Sequence, residues 1–166
     1  MADDDTKTAM SIAPGYLAAR PGYLLKVVER LQRRAMDLAL GRIELTTPQY
    51  AALSVLADHP GISNAELARR SFVTAQTMTD ILRALHRGDL VIRAPHPEHG
   101  RIIQYQLTVE GARLRALGDI EVMGIERRML SRLSESDRVA LLGMLKRCAD
   151  SLEQSPGAGE IDQERS

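Results

Sequence analysis

The polar side chains of residues 74–87 could read the edges of DNA base pairs. Apolar residues recur there at steps of three and four, which predicts a helix with one face in a core. These core positions are Met78, Ile81, Leu82 and Leu85. The outer face is then expected to carry Gln76, Thr79, Asp80, Arg83 and Arg87. Glutamine can bind an adenine edge through two hydrogen bonds, arginine can bind guanine, and threonine can contact a thymine methyl. The pattern predicts a DNA-reading helix, and the alternative is an ordinary polar surface.

Other groups near this helix could hold the phosphate backbone. Thr74 and Thr77 lie at its start, where hydroxyl and backbone N–H groups bind phosphate. Arg69, Arg70 and Arg93 are further candidates for phosphate contacts, and the alternative for each is solvated surface.

Helices are predicted on both sides of this segment. The first covers about 21–40 and ends at a glycine. Thr47, followed by proline, is the expected N-cap of the second. Ser63 and Glu66 are spaced as a capping box for a short third helix. Thr74 caps the fourth helix, and Gly88 is expected to end it as the C′ residue.

The pattern changes after the fourth helix. Residues 90–92 and 102–107 read as two strands joined by a proline-containing loop, which makes a β-hairpin. Long helices follow, one from about 109 to 130 and a last one opened by Ser134 and Asp137. The fold class is therefore mostly α (α+β), a winged helix-turn-helix with flanking N- and C-terminal helices. The apolar stripes of the outer helices need a partner, and dimerisation is the simplest one.

Composition and charge fit a DNA-binding protein with a modest basic surface. The formal net charge is zero, but residues 1–10 and 153–166 are both acidic. The 142 residues between them carry 20 basic and 15 acidic residues. We expect the two acidic ends, residues 1–12 and 153–166, to be disordered tails around a single domain over 13–152. No apolar run approaches the length of a membrane span, and the first residues lack the pattern of a signal peptide. We therefore expect a cytoplasmic protein.

Catalytic and metal sites find little support in the sequence. No phosphate-binding glycine loop and no nucleophile motif is present, so we expect a binding protein rather than an enzyme, without a cofactor. His96, Glu98 and His99 are of residue types that bind zinc, but they share one loop without a fourth ligand. The preferred interpretation is that they belong to the loop of the β-hairpin, the wing, and that prolines restrict this loop. Cys148 could be an oxidant sensor. Its place on the apolar stripe of the last helix favours a buried hydrophobic role.

Five short segments together resemble the MarR (multiple antibiotic resistance regulator) family of bacterial repressors. They are Leu45-Thr46 with Gln49-Tyr50, His59-Pro60-Gly61, Glu66-Leu67-Ala68, Gly88 with Leu90-Val91, and Leu107-Thr108 with Gly111. Their order and spacing carry the resemblance, which is dense from 45 to 111. It implies a winged helix-turn-helix over about 45–110 and dimerisation helices over about 17–40 and 109–152.

The resemblance also implies how such a protein works. Two recognition helices of a homodimer would read a pseudo-palindromic operator. Binding of a small aromatic or phenolic compound would release the homodimer from this DNA. Arg101 matches the arginine that the family inserts into the minor groove, although His99-Gly100 replaces the usual residues before it. Asp80 also departs from the family pattern. It could accept from cytosine, but pairing with Arg83 or Arg87 is the preferred prediction.

Four aromatic residues are candidates for the walls of a ligand pocket. The winged helix-turn-helix over about 45–110 is called the reading head below. The candidate pocket walls flank its junction with the dimerisation helices, and they are Tyr16, Tyr23, Tyr50 and Phe72. Core packing explains each of them equally well. Two other functions stay open: a winged helix that binds protein instead of DNA, which the neutral net charge and Asp80 motivate, and a sensor of oxidants through Cys148.

Overall fold

A computed structural model describes residues 20–95 and 103–154 of the chain. The helices before the hairpin are α1 (Pro21–Gly41), α2 (Thr47–Asp58), α3 (Asn64–Arg70) and α4 (Ala75–Arg87). The strands are β1 (Val91–Pro95) and β2 (Ile103–Leu107), followed by α5 (Val109–Met129) and α6 (Glu135–Glu153). This order confirms the predicted winged helix-turn-helix between flanking helices.

Threonine hydroxyls cap the N-termini of two helices of the reading head. Thr74 accepts a hydrogen bond from the backbone N–H of Thr77 at 3.1 Å, which confirms the predicted cap of α4. The predicted cap of α2 is wrong by one residue, because Thr46, not Thr47, accepts from the backbone N–H of Gln49. The Gln49 side chain accepts from the Thr46 backbone in return. Thr47 instead donates its hydroxyl to Asp37 of α1 at 2.5 Å.

Two predicted helix ends also differ from the structure. Ser63 caps α3 through the Glu66 backbone N–H, but the Glu66 carboxylate turns to arginines of its own helix. Gly88 is the C-cap of α4 with an ordinary negative φ, and Asp89 takes the left-handed conformation with φ 55°. Aspartate tolerates that region better than most residues, so the turn does not need glycine there.

One apolar cluster holds α2, α3, α4 and β1 together. Its fully buried members are Leu40, Leu53, Leu67, Met78, Leu82, Leu85 and Val91. Three of these residues come from the predicted core stripe of α4. β1 pairs antiparallel with β2, with Val91 opposite Leu107 and Arg93 opposite Tyr105. The core therefore fixes one face of α4 and leaves the opposite face in solvent.

The flanking helices keep large apolar surfaces exposed in the single chain. No residue of α6 is buried, and its Leu142, Leu145 and Leu152 are exposed. Cys148 is exposed as well, so its predicted burial is not found in the single chain, because α6 packs its stripe against no core. Leu24, Val28, Leu31 and Leu38 of α1 are also exposed. No helix within the described ranges is long and apolar enough to cross a membrane.

Candidate nucleic-acid interface

The outer face of α4 presents four polar residues to solvent. Gln76, Asp80, Arg83 and Arg87 are all exposed, whereas Met78, Leu82 and Leu85 on the opposite face are fully buried. The sequence prediction of which residues point outward is confirmed for these four. The helix therefore offers hydrogen-bond donors and acceptors along one line, the arrangement that base-edge recognition requires.

Thr79 does not belong to this outer face, which corrects the sequence prediction. Its hydroxyl donates to the carbonyl oxygen of Ala75 at 2.9 Å and accepts from the Asn64 side chain at 3.1 Å. Asn64 also reaches the Ala75 carbonyl at 3.5 Å. The half-buried Thr79 thus faces α3 and joins the start of α3 to the start of α4.

Asp80 and Arg83 form an ion pair on the exposed face, as predicted. The Arg83 Nη1 donates to Asp80 Oδ1 at 3.0 Å, one helical turn apart. Both side chains are more than half exposed, so the pair holds two opposite charges on the surface without burying either one.

Two threonine hydroxyls mark the start of α4. The Thr74 Oγ1 lies 2.8 Å from the Thr77 Oγ1, and both residues are exposed. Because Thr74 already caps the helix, the Thr77 hydroxyl and the N–H groups of the first turn are better placed to meet an anion. The arrangement fits the predicted phosphate contact at this end.

A shared carboxylate holds the two arginines of α3. Glu66 accepts two hydrogen bonds from Arg69, at 2.9 and 2.7 Å, and one from Arg70 at 2.6 Å. These bonds hold the pKa of Glu66 below its ordinary value. Arg70 Nη1 also lies 3.0 Å from His59 Nε2. The predicted phosphate contacts are therefore exposed but partly neutralised.

The hairpin is tied to the reading head by a buried amide. Gln104 of β2, only 5% exposed, donates its Nε2 to the Gly61 carbonyl oxygen at 3.1 Å. Gly61 has φ 83°, and an added Cβ there would lie 2.9 Å from the Gln104 side chain. Arg93 lies on the ring of its cross-strand neighbour Tyr105, with its guanidinium carbon 5.8 Å from the ring centre. The root of the wing is thus fixed to the turn between α2 and α3.

The tip of the wing, with Arg101, lies outside the described residues, as do His96, Glu98 and His99. Elsewhere along the described ranges, no three His, Cys, Asp or Glu side chains are grouped as a metal site.

The structure describes three of the four aromatic residues proposed as pocket walls. Tyr16 lies outside the described residues. Tyr23 is 47% exposed near the start of α1, and Phe72 is 94% exposed in the turn before α4, with a left-handed φ of 55°. Of the three that the structure describes, Tyr50 packs at the junction between the reading head and a flanking helix, where its hydroxyl donates to Asp119 of α5 at 2.9 Å.

A groove between α1 and α5 is lined by none of the three described aromatic residues. It measures about 490 Å³ and has apolar walls that include Leu38, Ile120 and Ile125. Arg42, Arg127 and Arg128 also line it. The groove runs along the same unpartnered faces of the flanking helices that expose apolar side chains.

Sequence reasoning missed the tertiary contacts of three residues that position the site. Asn64 joins α3 to α4, Gln104 joins β2 to the turn before α3, and Asp119 joins α5 to α2, each through its side chain. Each is a polar residue in or beside an otherwise apolar pattern. Their partners are set by tertiary packing, so the sequence offered no spacing rule for finding them.

Comparison with known proteins identifies the fold and the family. The MarR family model matches residues 43–102. The HTH-type transcriptional repressor Rv2887 of Mycobacterium tuberculosis strain H37Rv is 34% identical over 126 residues, which cover 76% of this chain and 91% of that protein.

Solved structures agree with this assignment. The complex of Rv2887 with salicylic acid superposes with a TM-score of 0.67 at 34% identity and covers 78% of this chain and 96% of that one. The transcriptional repressor CouR bound to a 23-mer DNA duplex gives a TM-score of 0.73 at 27% identity, with coverages of 81% and 96%. Both likenesses span the reading head and the flanking helices. The chain therefore belongs to the MarR family of helix-turn-helix transcriptional regulators.

Proposed function

We propose that this protein is a sequence-specific repressor that acts in the cytoplasm and is released from DNA by a small aromatic or phenolic compound. One observation carries the DNA-binding part: α4 buries one face in the core and exposes Gln76, Asp80, Arg83 and Arg87 on the other. Thr74 and Thr77 are exposed at the start of the same helix. A helix with these groups can enter the major groove with its N-terminal end first.

A homodimer is the proposed working form. The apolar residues left exposed on α1 and α6 form stripes that a single chain does not cover. A second copy would bury them and set two α4 helices about one turn of DNA apart, which matches a pseudo-palindromic operator. Arg69, Arg70 and Arg93, and Arg101 in the wing, would then contact phosphates or the minor groove.

The effector proposal rests on the junction around Tyr50 and on a relative. Tyr50, Asp119 and Arg115 form a polar cluster where α2 meets α5, with Arg115 Nε 3.3 Å from Asp119 Oδ2. The relative Rv2887 has been solved with salicylic acid, an aromatic acid. A compound bound beside this junction could change the angle between head and flanking helices and so the spacing of the two reading helices.

Titration of the protein's own upstream DNA with two matched variants tests the proposal. Arg83→Ala should lose discrimination at a particular base pair, whereas Arg70→Ala should weaken binding to all sequences alike. Wild-type affinity should fall steeply with salt. If both variants bind as the wild type does, α4 and α3 do not form the DNA surface.

A winged helix that binds another protein is the second candidate. The carboxylates of Asp80 and Glu66 favour it, because they neutralise arginines on the surface proposed for DNA. This alternative predicts weak binding without sequence preference by an intact dimer in the same titration.

A further inference from the structure

The reading face of α4 carries one carboxylate among its cations. Asp80 is the sole acidic residue in the helix, and its Oδ1 accepts from Arg83 Nη1 at 3.0 Å. The Asp80 carboxylate, an acceptor, and the Arg83 guanidinium, a donor, are therefore held side by side on the face that is proposed to enter the major groove.

Neither folding nor phosphate binding accounts for this pair. An exposed ion pair between side chains one turn apart contributes little to stability. A carboxylate also weakens the attraction of the surrounding arginines to phosphate, which drives binding that is independent of sequence. A carboxylate at this position is more useful as an acceptor for a base.

The pair matches the major-groove edge of a G·C base pair. Cytosine presents an amino donor there, and guanine presents the acceptors N7 and O6. Helix residues three apart have Cβ atoms about 5–6 Å from each other, and base pairs rise about 3.4 Å per step. Asp80 and Arg83 would therefore meet the same base pair or adjacent ones.

We infer that Asp80 and Arg83 read a G·C pair together. Arg83 donates to guanine, and Asp80 accepts from the cytosine amino group of that pair or the next. Thymine and guanine, which present only acceptors to the carboxylate, are rejected at the position that Asp80 faces. This inference rests on the proposed DNA-binding function and adds a base identity to it.

Selection from randomised duplexes tests the inference with the full-length protein. The wild type should select cytosine at one position in each half-site, next to or paired with the guanine that Arg83 reads. Asp80→Asn keeps the side-chain size but adds a donor, and it should lower the preference for cytosine about tenfold at that position and admit adenine. The rest of the selected sequence should stay unchanged.

Asp89→Asn is the matched control. It removes the same charge just after the end of α4, at an exposed position off the reading face, and asparagine tolerates the left-handed backbone of Asp89. Thermal unfolding of both variants shows whether each is folded. A cytosine preference lost in Asp80→Asn and kept in Asp89→Asn supports the inference.

Three other results distinguish a failure of this inference from a failure of the proposed DNA-binding function. If Asp80→Asn selects the wild-type sequence, the inference is overturned and the proposed function stands. The same holds if Asp80→Asn only binds every duplex more tightly, because Asp80 then acts through its charge. If the wild type selects no sequence at all, the proposed function fails and the inference falls with it.

Discussion

The phenol of Tyr50 donates a hydrogen bond to the carboxylate of Asp119 at 2.9 Å, and this bond joins α2 of the reading head to the flanking helix α5. Arg115 pairs with the other oxygen of Asp119 at 3.3 Å. Burial, together with the bond to Asp119, raises the pKa of Tyr50 above its ordinary value of 10.0. The tyrosine is therefore neutral and a donor at physiological pH.

Removing this hydroxyl should destabilise the protein in a pH-dependent way. We expect Tyr50→Phe to lower the free energy of unfolding at neutral pH by about 1 kcal/mol, because Asp119 loses a donor. Since the folded pKa is raised, the bond stabilises the protein below pH 10 and is lost as pH rises through the folded value. Urea unfolding of wild type and variant between about pH 7 and 11 measures both effects.

The difference in the free energy of unfolding between the wild type and Tyr50→Phe should become smaller at high pH. Tyr23→Phe, which removes the hydroxyl of an exposed tyrosine near the start of α1, is the control and should leave the unfolding curve near that of the wild type. A Tyr50→Phe protein as stable as the wild type at pH 7 would show that the bond does not hold the junction.

Gly111 is expected to tolerate no side chain. A Cβ added at this position would overlap the carbonyl oxygen of Leu90, because the start of α5 lies directly on the backbone that leads into β1. Gly111→Ala should therefore cost about 2 kcal/mol or more, since backbone must move to admit the methyl group. Gly124→Ala on the same helix meets nothing within 4 Å and should not destabilise the chain. Thermal unfolding compares the two, and equal midpoints would contradict the close approach.

The bond between Gln104 and Gly61 should matter for DNA binding as well as stability. Gln104→Ala leaves the Gly61 carbonyl without this donor and should cost about 1 kcal/mol. It should also weaken operator binding, because the root of the wing is no longer fixed to the head. Gln106→Ala removes an exposed amide from the same strand and is the control for both measurements. If both variants bind DNA equally well, the tether does not position the wing.

Asn64 and Thr79 should act as a unit, which a double-mutant cycle measures. Asn64→Ala and Thr79→Val each break the bond between α3 and α4 and should each cost about 1 kcal/mol in unfolding. The double variant should cost less than the two costs added together. Strict additivity would mean that the two side chains do not interact. Thr79→Ser, which keeps the hydroxyl, should be close to the wild type.

The sequence was sufficient for features that depend on local patterns. The apolar spacing of α4, its Thr74 cap and the second strand were predicted close to their observed bounds, because each is set by neighbours in the chain. The first strand was predicted over 90–92 but extends to Pro95, because its pairing with β2 continues to Ile103. Thr46 and Thr47 carry the same hydroxyl, so the choice of cap depended on Gln49 and on the distant Asp37. The capping-box spacing of Thr46 and Gln49 was a local signal for the right cap, whereas the contact of Thr47 with Asp37 is set by tertiary packing.

The inner position of Thr79 had a similar cause. A helical wheel places this residue at the border between the two faces, and Asn64, 15 residues earlier, decides which side it joins. Cys148 shows the opposite limit. It lies on the predicted apolar stripe of α6, but no core of the single chain packs against that helix, so the stripe alone did not decide its burial.

The mass of the complex formed with a selected DNA duplex tests the central claim most directly. Sedimentation of the purified protein with the best-binding duplex should give two chains per duplex, and the selected sequence should hold two inverted half-sites about 10 base pairs apart. One chain per duplex, or no preferred sequence at moderate salt, would contradict the account of a dimeric reader that acts through α4.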